Sequence, residues 1–181
     1  SRVRNASVPS MQVMASEFWD NGVGSSGSGG ALFATNCVDA VVEDCAFDGA
    51  GLALGKAPEL VWVGGNGNAV FLDSDLWNNP AGGGLSFGGT AGASLALTNC
   101  QVEGNNGDGL TLPAGRASLF NCLLARNAGD GLSLSGGTAA VAQCTLAYNG
   151  GWGLNRSGGT GTVVNSIAWG NSSGGIVSNE A

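Results

Sequence analysis

The sequence predicts an all-β solenoid, in which short parallel strands stack turn upon turn around one core. Three observations carry this prediction. Residues 93–155 contain three segments that align without a gap at a spacing of 22 residues. Apolar residues recur at fixed positions in each segment, and the loops between them lack helical periodicity. A short fixed period of this kind is typical of stacked supersecondary units.

Three columns of equivalent residues define the repeat. The first column holds cysteine, the second holds asparagine five residues later, and the third holds leucine ten residues later. In the regular segments these are Cys100, Cys122 and Cys144, then Asn105, Asn127 and Asn149, then Leu110, Leu132 and Leu154. If longer loops are allowed, the first column continues outward with Ser16, Cys45, Ser74 and Ser166. The frame then spans about seven turns.

Alternation within each turn predicts three short strands. Positions five and three before the Cys/Ser column, and two after it, are apolar or small in every turn, so they face inward. The alternation changes phase just before the column, which predicts a tight bend there. Asp, Asn or Gln occupies this bend in six turns, and we expect their side chains to bond to the backbone or to the same amide one turn away and so to satisfy buried polar groups. Gly-Leu dipeptides open the third strand, with Leu52 and Leu54 inward in turn two.

The whole chain, 1–181, is predicted to be a single domain and a fragment of a longer protein. Residues 1–10 fit a partial first turn. Residues 55–68, GKAPELVWVGGNGN, fit a loop insertion between turns two and three. Solenoids carry polar caps at their ends, and neither end of this sequence predicts a capping helix.

These columns resemble the right-handed parallel β-helix of the pectin-lyase-like proteins. The resemblance covers roughly residues 11 to 178 and rests on the 22-residue turn, the three short strands, the asparagines at a bend and the inward aliphatic stacks. It implies the handedness, which also follows the general bias of parallel crossovers. It does not imply one activity, because this fold hosts lyases, hydrolases, adhesins and scaffolds.

Composition and charge exclude several classes of partner. The formal net charge is -7 with only six basic residues, whereas nucleic-acid binding needs clustered Lys and Arg. No apolar run is long enough for a membrane helix. Histidine is absent and the five cysteines lack C-x-x-C spacing, so no metal site or cofactor is expected. Cys45, Cys100, Cys122 and Cys144 are interpreted as small buried residues that pack turn on turn.

Asp108 and Asp130 are the candidate catalytic residues. Without histidine, hydrolysis would depend on carboxylates, and glycosidases use two of them. The two aspartates occupy equivalent positions in adjacent turns, so we expect them about 4.8 Å apart. The simpler interpretation is a turn-forming Asp-Gly dipeptide that repeats with the turn. Whether the protein is an enzyme stays open, and the non-catalytic interpretation is favoured.

Exposed aromatic residues are the candidate ligand-binding residues. Trp19, Trp77 and Trp169 stand three positions after the Cys/Ser column, beside an inward position, and are expected to face outward. Tyr148 and Trp152 belong to the preceding loop, near Trp169 in the stack. Together with Asp108 and Asp130 they would suit a sugar or a protein partner. The alternative is that each ring only covers apolar surface at a bend.

The favoured function is a non-catalytic extracellular or cell-surface module that acts as a rigid stalk or adhesin and binds a glycan or a protein. One alternative is a carbohydrate-active enzyme, a polysaccharide lyase or hydrolase, which predicts a third acidic residue converging on Asp108 and Asp130. Another alternative is a subunit of a filament or larger surface assembly. Its open ends would contact further copies or the rest of a longer chain.

Overall fold

The computed structural model describes residues 3–6, 10–19, 30–35, 38–49 and 59–178. Within these ranges the chain forms 22 short β-strands, numbered along the chain, which lie in three parallel sheets of eight, seven and seven strands. We call these sheet A, sheet B and sheet C. In the same ranges no helix is long and apolar enough to cross a membrane.

Each sheet takes every third strand. Sheet A contains β1 (Val3–Ala6), β4 (Leu32–Thr35), β7 (Glu59–Gly65), β10 (Gly83–Gly89), β13 (Leu110–Ala114), β16 (Leu132–Leu134), β19 (Trp152–Arg156) and β22 (Gly174–Ser178). Sheet B contains β2 (Ser10–Met14), β5 (Asp39–Glu43), β8 (Asn68–Leu72), β11 (Ser94–Thr98), β14 (Arg116–Phe120), β17 (Thr138–Ala142) and β20 (Thr160–Val164). Sheet C contains β3 (Glu17–Phe18), β6 (Ala46–Asp48), β9 (Asp75–Trp77), β12 (Gln101–Glu103), β15 (Leu123–Ala125), β18 (Thr145–Ala147) and β21 (Ile167–Trp169).

This order confirms the parallel solenoid. Since neighbours within a sheet are three strands apart along the chain, each set of three strands adds one strand to every sheet. Strands β2 to β22 make seven such sets, which we number turns 1 to 7. Strand β1 precedes them and pairs with β4 in sheet A.

The predicted inward positions form the core. In sheet B the alternation places Leu95 and Leu97 inside, and in sheet C it places Val102 inside; all three are buried. Residues at the same position in adjacent turns pack on each other, as Phe18 and Phe47 do with ring centroids 4.7 Å apart. The core is therefore a set of like-on-like stacks along the axis rather than a single cluster around a centre.

The predicted tight bend between sheets B and C is also present. The residue before the Cys/Ser column has a left-handed φ of 45° to 55° in all seven turns: Ala15, Asp44, Asp73, Asn99, Asn121, Gln143 and Asn165. Side-chain bonds join some of these residues between turns, with Asn121 Nδ2 2.9 Å from Asn99 Oδ1. The column is exposed, however, so the expectation that it satisfies buried polar groups was wrong. The left-handed backbone turns these side chains to the outside.

The buried ladder lies in the asparagine column instead, at the bend between sheets C and A. Asn105 Nδ2 donates to Asn127 Oδ1 at 3.0 Å, and Asn127 Nδ2 donates to Asn149 Oδ1 at 3.1 Å. The same Oδ1 atoms accept the backbone N–H of the asparagine one turn earlier. Asn127 Nδ2 also donates to the carbonyl of Val102. Each asparagine thus joins its own turn to both neighbours.

The Cys/Ser column forms a second internal ladder. The thiol of Cys144 donates to the carbonyl two residues earlier, at Ala142, and the hydroxyl of Ser166 does the same at Val164. The backbone N–H of Cys122 donates to Cys144 Sγ at 3.4 Å, and that of Cys144 donates to Ser166 Oγ at 3.0 Å. Cys45, Cys100, Cys122 and Cys144 are buried, as predicted, and all four thiols are free. Cys37 lies outside the described residues.

One boundary was predicted wrongly. The third strand of turn 2 is β7, whose Val61 pairs with Leu32 and Leu85, and it occupies part of the expected loop insertion 55–68. Val61 and Val63 are buried in the inward positions of sheet A. β-Branched residues such as these favour a pleated, buried strand over a loop. Leu52 and Leu54, which were expected there, lie outside the described residues.

Loss of one buried ladder amide should destabilise the whole stack. In Asn127→Ala the N–H of Asn105 and the carbonyl of Val102 lose their partners, and we expect the free energy of unfolding to fall by about 3 kcal/mol. Urea denaturation measures this change. The control is Asn121→Gly, at the exposed bend, where φ is 53° and the change should stay below about 1 kcal/mol. Equal losses in the two variants would contradict the assignment of the ladder.

The thiol column should be inert in the folded protein. The side-chain hydrogen bond to Cys100, together with burial, raises the pKa of Cys122 to about 11. The bond to Cys122 raises the pKa of Cys144. The pKa of Cys100 is lowered. Mass-spectrometric mapping after alkylation at pH 8 should find Cys122 and Cys144 unlabelled before denaturation and labelled after it. Rapid labelling in the native state would contradict the buried ladder.

The raised pKa of Cys122 also makes the free energy of unfolding depend on pH. The free energy of unfolding that Cys122 contributes is fully present below the unfolded pKa of 9.0 and is lost as the pH rises toward 11. The variant Cys122→Ser introduces the hydroxyl that turns 1, 3 and 7 have in this column, so it should fold and lose less stability over this range. Thermal melts at pH 8 and pH 10.5 measure the difference. A steeper loss of stability with pH in Cys122→Ser would contradict the pH dependence assigned to Cys122.

Candidate functional site

The structure separates the five predicted site residues into two groups. Asp108, Asp130 and Trp152 occupy one column, two residues before the inward leucines of sheet A. Tyr148 and Trp169 lie on the other side of the asparagine bend, beside sheet C. The two groups are therefore on different faces of the bend, and each has its own surroundings.

The two carboxylates bind the backbone of the following turn. Asp108 Oδ1 accepts the N–H of Asp130 at 2.8 Å, and Asp130 Oδ1 accepts the N–H of Trp152 at 2.6 Å. Asp130 Oδ2 also accepts from Asn155 Nδ2 at 2.8 Å, and Asp130 is buried. These bonds support the turn-forming interpretation of the Asp-Gly segments, because the carboxylates replace strand pairing at the points where sheet A begins.

A third carboxylate shares this column but does not converge on the pair. Glu59 stands opposite Gly83, whose strand lies between Glu59 and the strand of Asp108. Glu59 and Asp108 are therefore separated by two strand spacings, or about 9.6 Å. Burial raises the pKa of Glu59. No group of three His, Cys, Asp or Glu residues in the described ranges could hold a metal ion.

Strand β7 also carries an aromatic residue that the sequence reasoning missed. Trp62 stacks on Phe33 of the preceding turn, with ring centroids 4.9 Å apart and planes at 15°. Its indole lies over Gly64 and Gly88, where a Cβ atom would collide with it or touch it. Glu59 and Trp62 were both overlooked because they fall inside the expected loop insertion. The run Leu60, Val61 and Val63 was the available signal of a buried strand.

Trp152 is less exposed than expected. It is the first residue of β19, not a loop residue, and it is half-buried. Its ring packs over Gly174, the residue opposite it in the next turn. Any side chain at Gly174 would displace the ring. Trp152 therefore covers the backbone of turn 7, which leaves less of its face for a ligand.

Tyr148 and Trp169 are strongly exposed, at 58% and 68% of their full surface. The backbone N–H of Tyr148 donates to the carbonyl of Trp169 at 3.0 Å, so the two residues are neighbours across turns 6 and 7. The ring of Tyr148 lies against Gly170, where an added Cβ would approach Cδ1 to 2.8 Å. The two aromatic side chains thus share one corner of the rod.

Tyr148 holds an unfavourable backbone conformation. Its column forms a second left-handed bend, which the sequence reasoning did not predict: Asn78, Gly104, Arg126, Tyr148 and Gly170 have φ between 53° and 68°. Asparagine and glycine tolerate this region, whereas a bulky residue there costs about 1–2 kcal/mol. Strain of this kind is concentrated at functional positions. The exposed ring of Tyr148 is therefore kept in its position despite this unfavourable backbone conformation.

Two alanines lie recessed between larger side chains on the outer face of sheet C. In the outward column Ala125 and Ala147 separate Glu103 from Trp169. Both alanines are buried although they point outward. Arg126 forms an ion pair with Glu103 at one side, and Tyr148 stands at the other. We call Ala125, Ala147, Tyr148 and Trp169 the aromatic recess.

The expected outward tryptophans are confirmed, since Trp19 is 64% and Trp77 42% exposed. Both share the outward column of sheet C with the aromatic recess. Beside them, between turns 1 and 3, lies a groove of about 450 Å³ whose acidic lining comprises Glu17, Asp44, Asp73 and Asp75. Burial, with a smaller effect from Glu103, raises the pKa of Asp75.

The family model of the right-handed β-helix region matches residues 16–181. The chain belongs to this family. The right-handed β-helix assignment agrees with the three parallel sheets and with the pectin-lyase-like grouping that the columns indicated. No curated protein and no solved structure matches the chain significantly. Membership in the right-handed β-helix family therefore shows the fold, and the activity has to be argued from the surface itself.

The backbone at Tyr148 provides a test of the strain. The variants Tyr148→Gly and Tyr148→Ala both remove the ring, but glycine accepts a φ of 57°, so the Gly variant should be more stable by about 1 kcal/mol. Urea denaturation of both measures this. At the control position Thr145, the first residue of β18, the order should reverse, because glycine weakens a strand. If the Gly variant were more stable than the Ala variant at both positions, backbone strain at Tyr148 would not explain the difference.

Proposed function

We propose that this β-helix is a non-catalytic module, outside the cell or on its surface, that presents an aromatic glycan-binding surface on a rigid rod. The observation that carries the proposal is the aromatic recess. There, two strongly exposed aromatic side chains flank recessed alanines, and one of them is held in a strained backbone conformation. A flat aromatic face beside hydrogen-bonding groups suits the stacking of a sugar ring.

The rod itself supports a scaffold role. Continuous ladders of backbone, asparagine and Cys/Ser hydrogen bonds join every pair of turns from turn 3 onward. A surface built on such strands keeps its geometry without ligand, so little ordering free energy is lost on binding. This is the property that a stalk or an adhesin needs.

The hydrogen bonds and the positions of the carboxylates favour a binding function over a catalytic one. Asp108 and Asp130 accept hydrogen bonds from the backbone of the next turn, and Glu59 is separated from them by a further strand. A glycosidase needs one carboxyl group as acid and a second as base or nucleophile on opposite sides of a scissile bond. Carboxylates stacked along one column and bound to the backbone do not fit that arrangement.

Glycan-array binding of four variants tests the proposal. Tyr148→Ala and Trp169→Ala should each weaken binding by about fivefold or more, since each removes a stacking face. Phe120→Ala, which truncates an exposed ring on the outer face of sheet B, is the matched control and should bind normally. The double variant Asp108→Asn, Asp130→Asn should also bind normally.

Two results would oppose this function. Release of reducing or unsaturated ends from a polysaccharide, abolished in the double aspartate variant, would establish an enzyme instead. Binding that survives both Tyr148→Ala and Trp169→Ala would place the ligand elsewhere on the rod. Circular dichroism and a urea titration of each variant exclude unfolding as the cause of lost binding.

A further inference from the structure

The outward column of sheet C carries a line of tryptophans along the axis of the rod. Trp77 and Trp169 belong to β9 and β21, which are four strands apart in the sheet. Trp19 directly follows β3, two strands before β9. At about 4.8 Å per strand, the spacings are about 9.6 Å and about 19 Å. All three side chains are exposed.

The residues between the tryptophans in this column have acidic or small side chains. From turn 1 to turn 7 the column consists of Trp19, Asp48, Trp77, Glu103, Ala125, Ala147 and Trp169. Tryptophans occupy only odd-numbered turns, and acidic residues occupy turns 2 and 4. The small side chains of turns 5 and 6 lie lower than their neighbours. Between Trp77 and Trp169 the column therefore carries one carboxylate and two alanines, and a long ligand that runs over it meets no further aromatic residue of the column there.

We infer that this tryptophan row binds an extended, uncharged β-1,4-linked glycan that lies parallel to the axis of the rod. The inference rests on the proposed function and extends it, because it names the class of glycan and its direction. In such a chain each sugar ring is turned over relative to the next, so the same face recurs at every second ring. That repeat is close to two strand spacings, about 9.6 Å.

The alternation of side chains matches this two-ring repeat. Rings that lie over turns 1, 3 and 7 can stack on indole faces, whereas rings over turns 2 and 4 meet the carboxylates of Asp48 and Glu103, which accept hydrogen bonds from hydroxyl groups. A parallel column at the start of the sheet C strands adds polar groups in turns 1, 3, 4 and 6 and apolar groups in turns 2, 5 and 7. It consists of Glu17, Ala46, Asp75, Gln101, Leu123, Thr145 and Ile167. The row thus combines apolar and polar contacts at the period of the ligand.

Charge selects against anionic chains. Among the described residues on this face, the acidic side chains are Glu17, Asp48, Asp75 and Glu103. Arg126 at its edge is already paired with Glu103, and the whole chain has a net charge of -7. A uronate chain would meet like charge along the rod. A neutral hexose chain would not.

Length dependence separates the row from the aromatic recess alone. Five sugar rings reach from Trp169 to Trp77 if each ring covers one strand spacing, so a disaccharide can occupy the recess but cannot reach Trp77. NMR titration of the whole chain with cellobiose and with cellohexaose compares the two lengths. Wild-type protein should bind cellohexaose at least tenfold more tightly. Trp77→Ala should weaken cellohexaose binding by roughly five- to tenfold and leave cellobiose unchanged.

Three controls make the test specific. Phe120→Ala should bind both ligands normally. Maltohexaose has the same length but an α-linked, coiled backbone, and hexagalacturonate carries the uronate charge; both should bind at least tenfold more weakly than cellohexaose. Equal binding of either would overturn the inferred linkage or charge. Stability of Trp77→Ala in urea close to wild type excludes a folding defect, as expected for an exposed side chain.

The outcome also distinguishes this inference from the proposed function. If cellohexaose binds no more tightly than cellobiose, or if Trp77→Ala does not weaken it, the axial row is refuted while binding at the recess stands. If neither oligosaccharide binds but another glycan on the array depends on Tyr148 and Trp169, the row is refuted and the module is retained. If no glycan binds at all, both are refuted.

Discussion

Hydrogen bonds between consecutive turns hold every other feature of this β-helix in place. Backbone pairing in sheets A, B and C sets one strand spacing, and the buried asparagine ladder repeats it at the bend between sheets C and A. The Cys/Ser ladder does the same between sheets B and C. Since both bends are bonded at the spacing of the sheets, a change of register in one turn would break contacts in all three sheets and at both corners.

This constraint explains why several chemically suggestive residues are structural. Asp108 and Asp130 look like a catalytic pair, but their oxygens bind the N–H groups where sheet pairing has not yet begun. The stacked thiols look reactive, but each is buried and donates to a carbonyl of its own turn. A buried N–H or C=O without a partner costs more than a typical hydrogen bond gains. Polar side chains at the bends are therefore used to satisfy the backbone.

The same constraint fixes the spacing of side chains on the outer face. A column of outward residues is a row of groups at a fixed interval, and its chemistry can change at each turn without disturbing the core. In sheet C the row changes from alternating tryptophan and acid to recessed alanines and then to Trp169. A ligand with its own linear period can match such a row, which a curved active-site pocket could not provide.

The amino-acid sequence by itself determined the fold, because periodicity is a one-dimensional property. The inward columns, the tight bend before the Cys/Ser column, the burial of its cysteines and the outward tryptophans were all predicted from spacing alone and are confirmed. Where the spacing changed, prediction failed: β7 was mistaken for a loop, and Glu59 and Trp62 were lost with it.

Tertiary structure alone decided which way individual side chains turn at the bends. Asn99 and Asn105 are the same residue type six positions apart, yet one is exposed at a left-handed bend and the other is buried in a ladder. Likewise, Trp152 and Tyr148 are four residues apart, but only Tyr148 is turned to solvent, by a backbone conformation that sequence spacing does not reveal. The direction of a side chain at a corner depends on φ and on contacts with neighbouring turns, and both arise only when the turns are stacked.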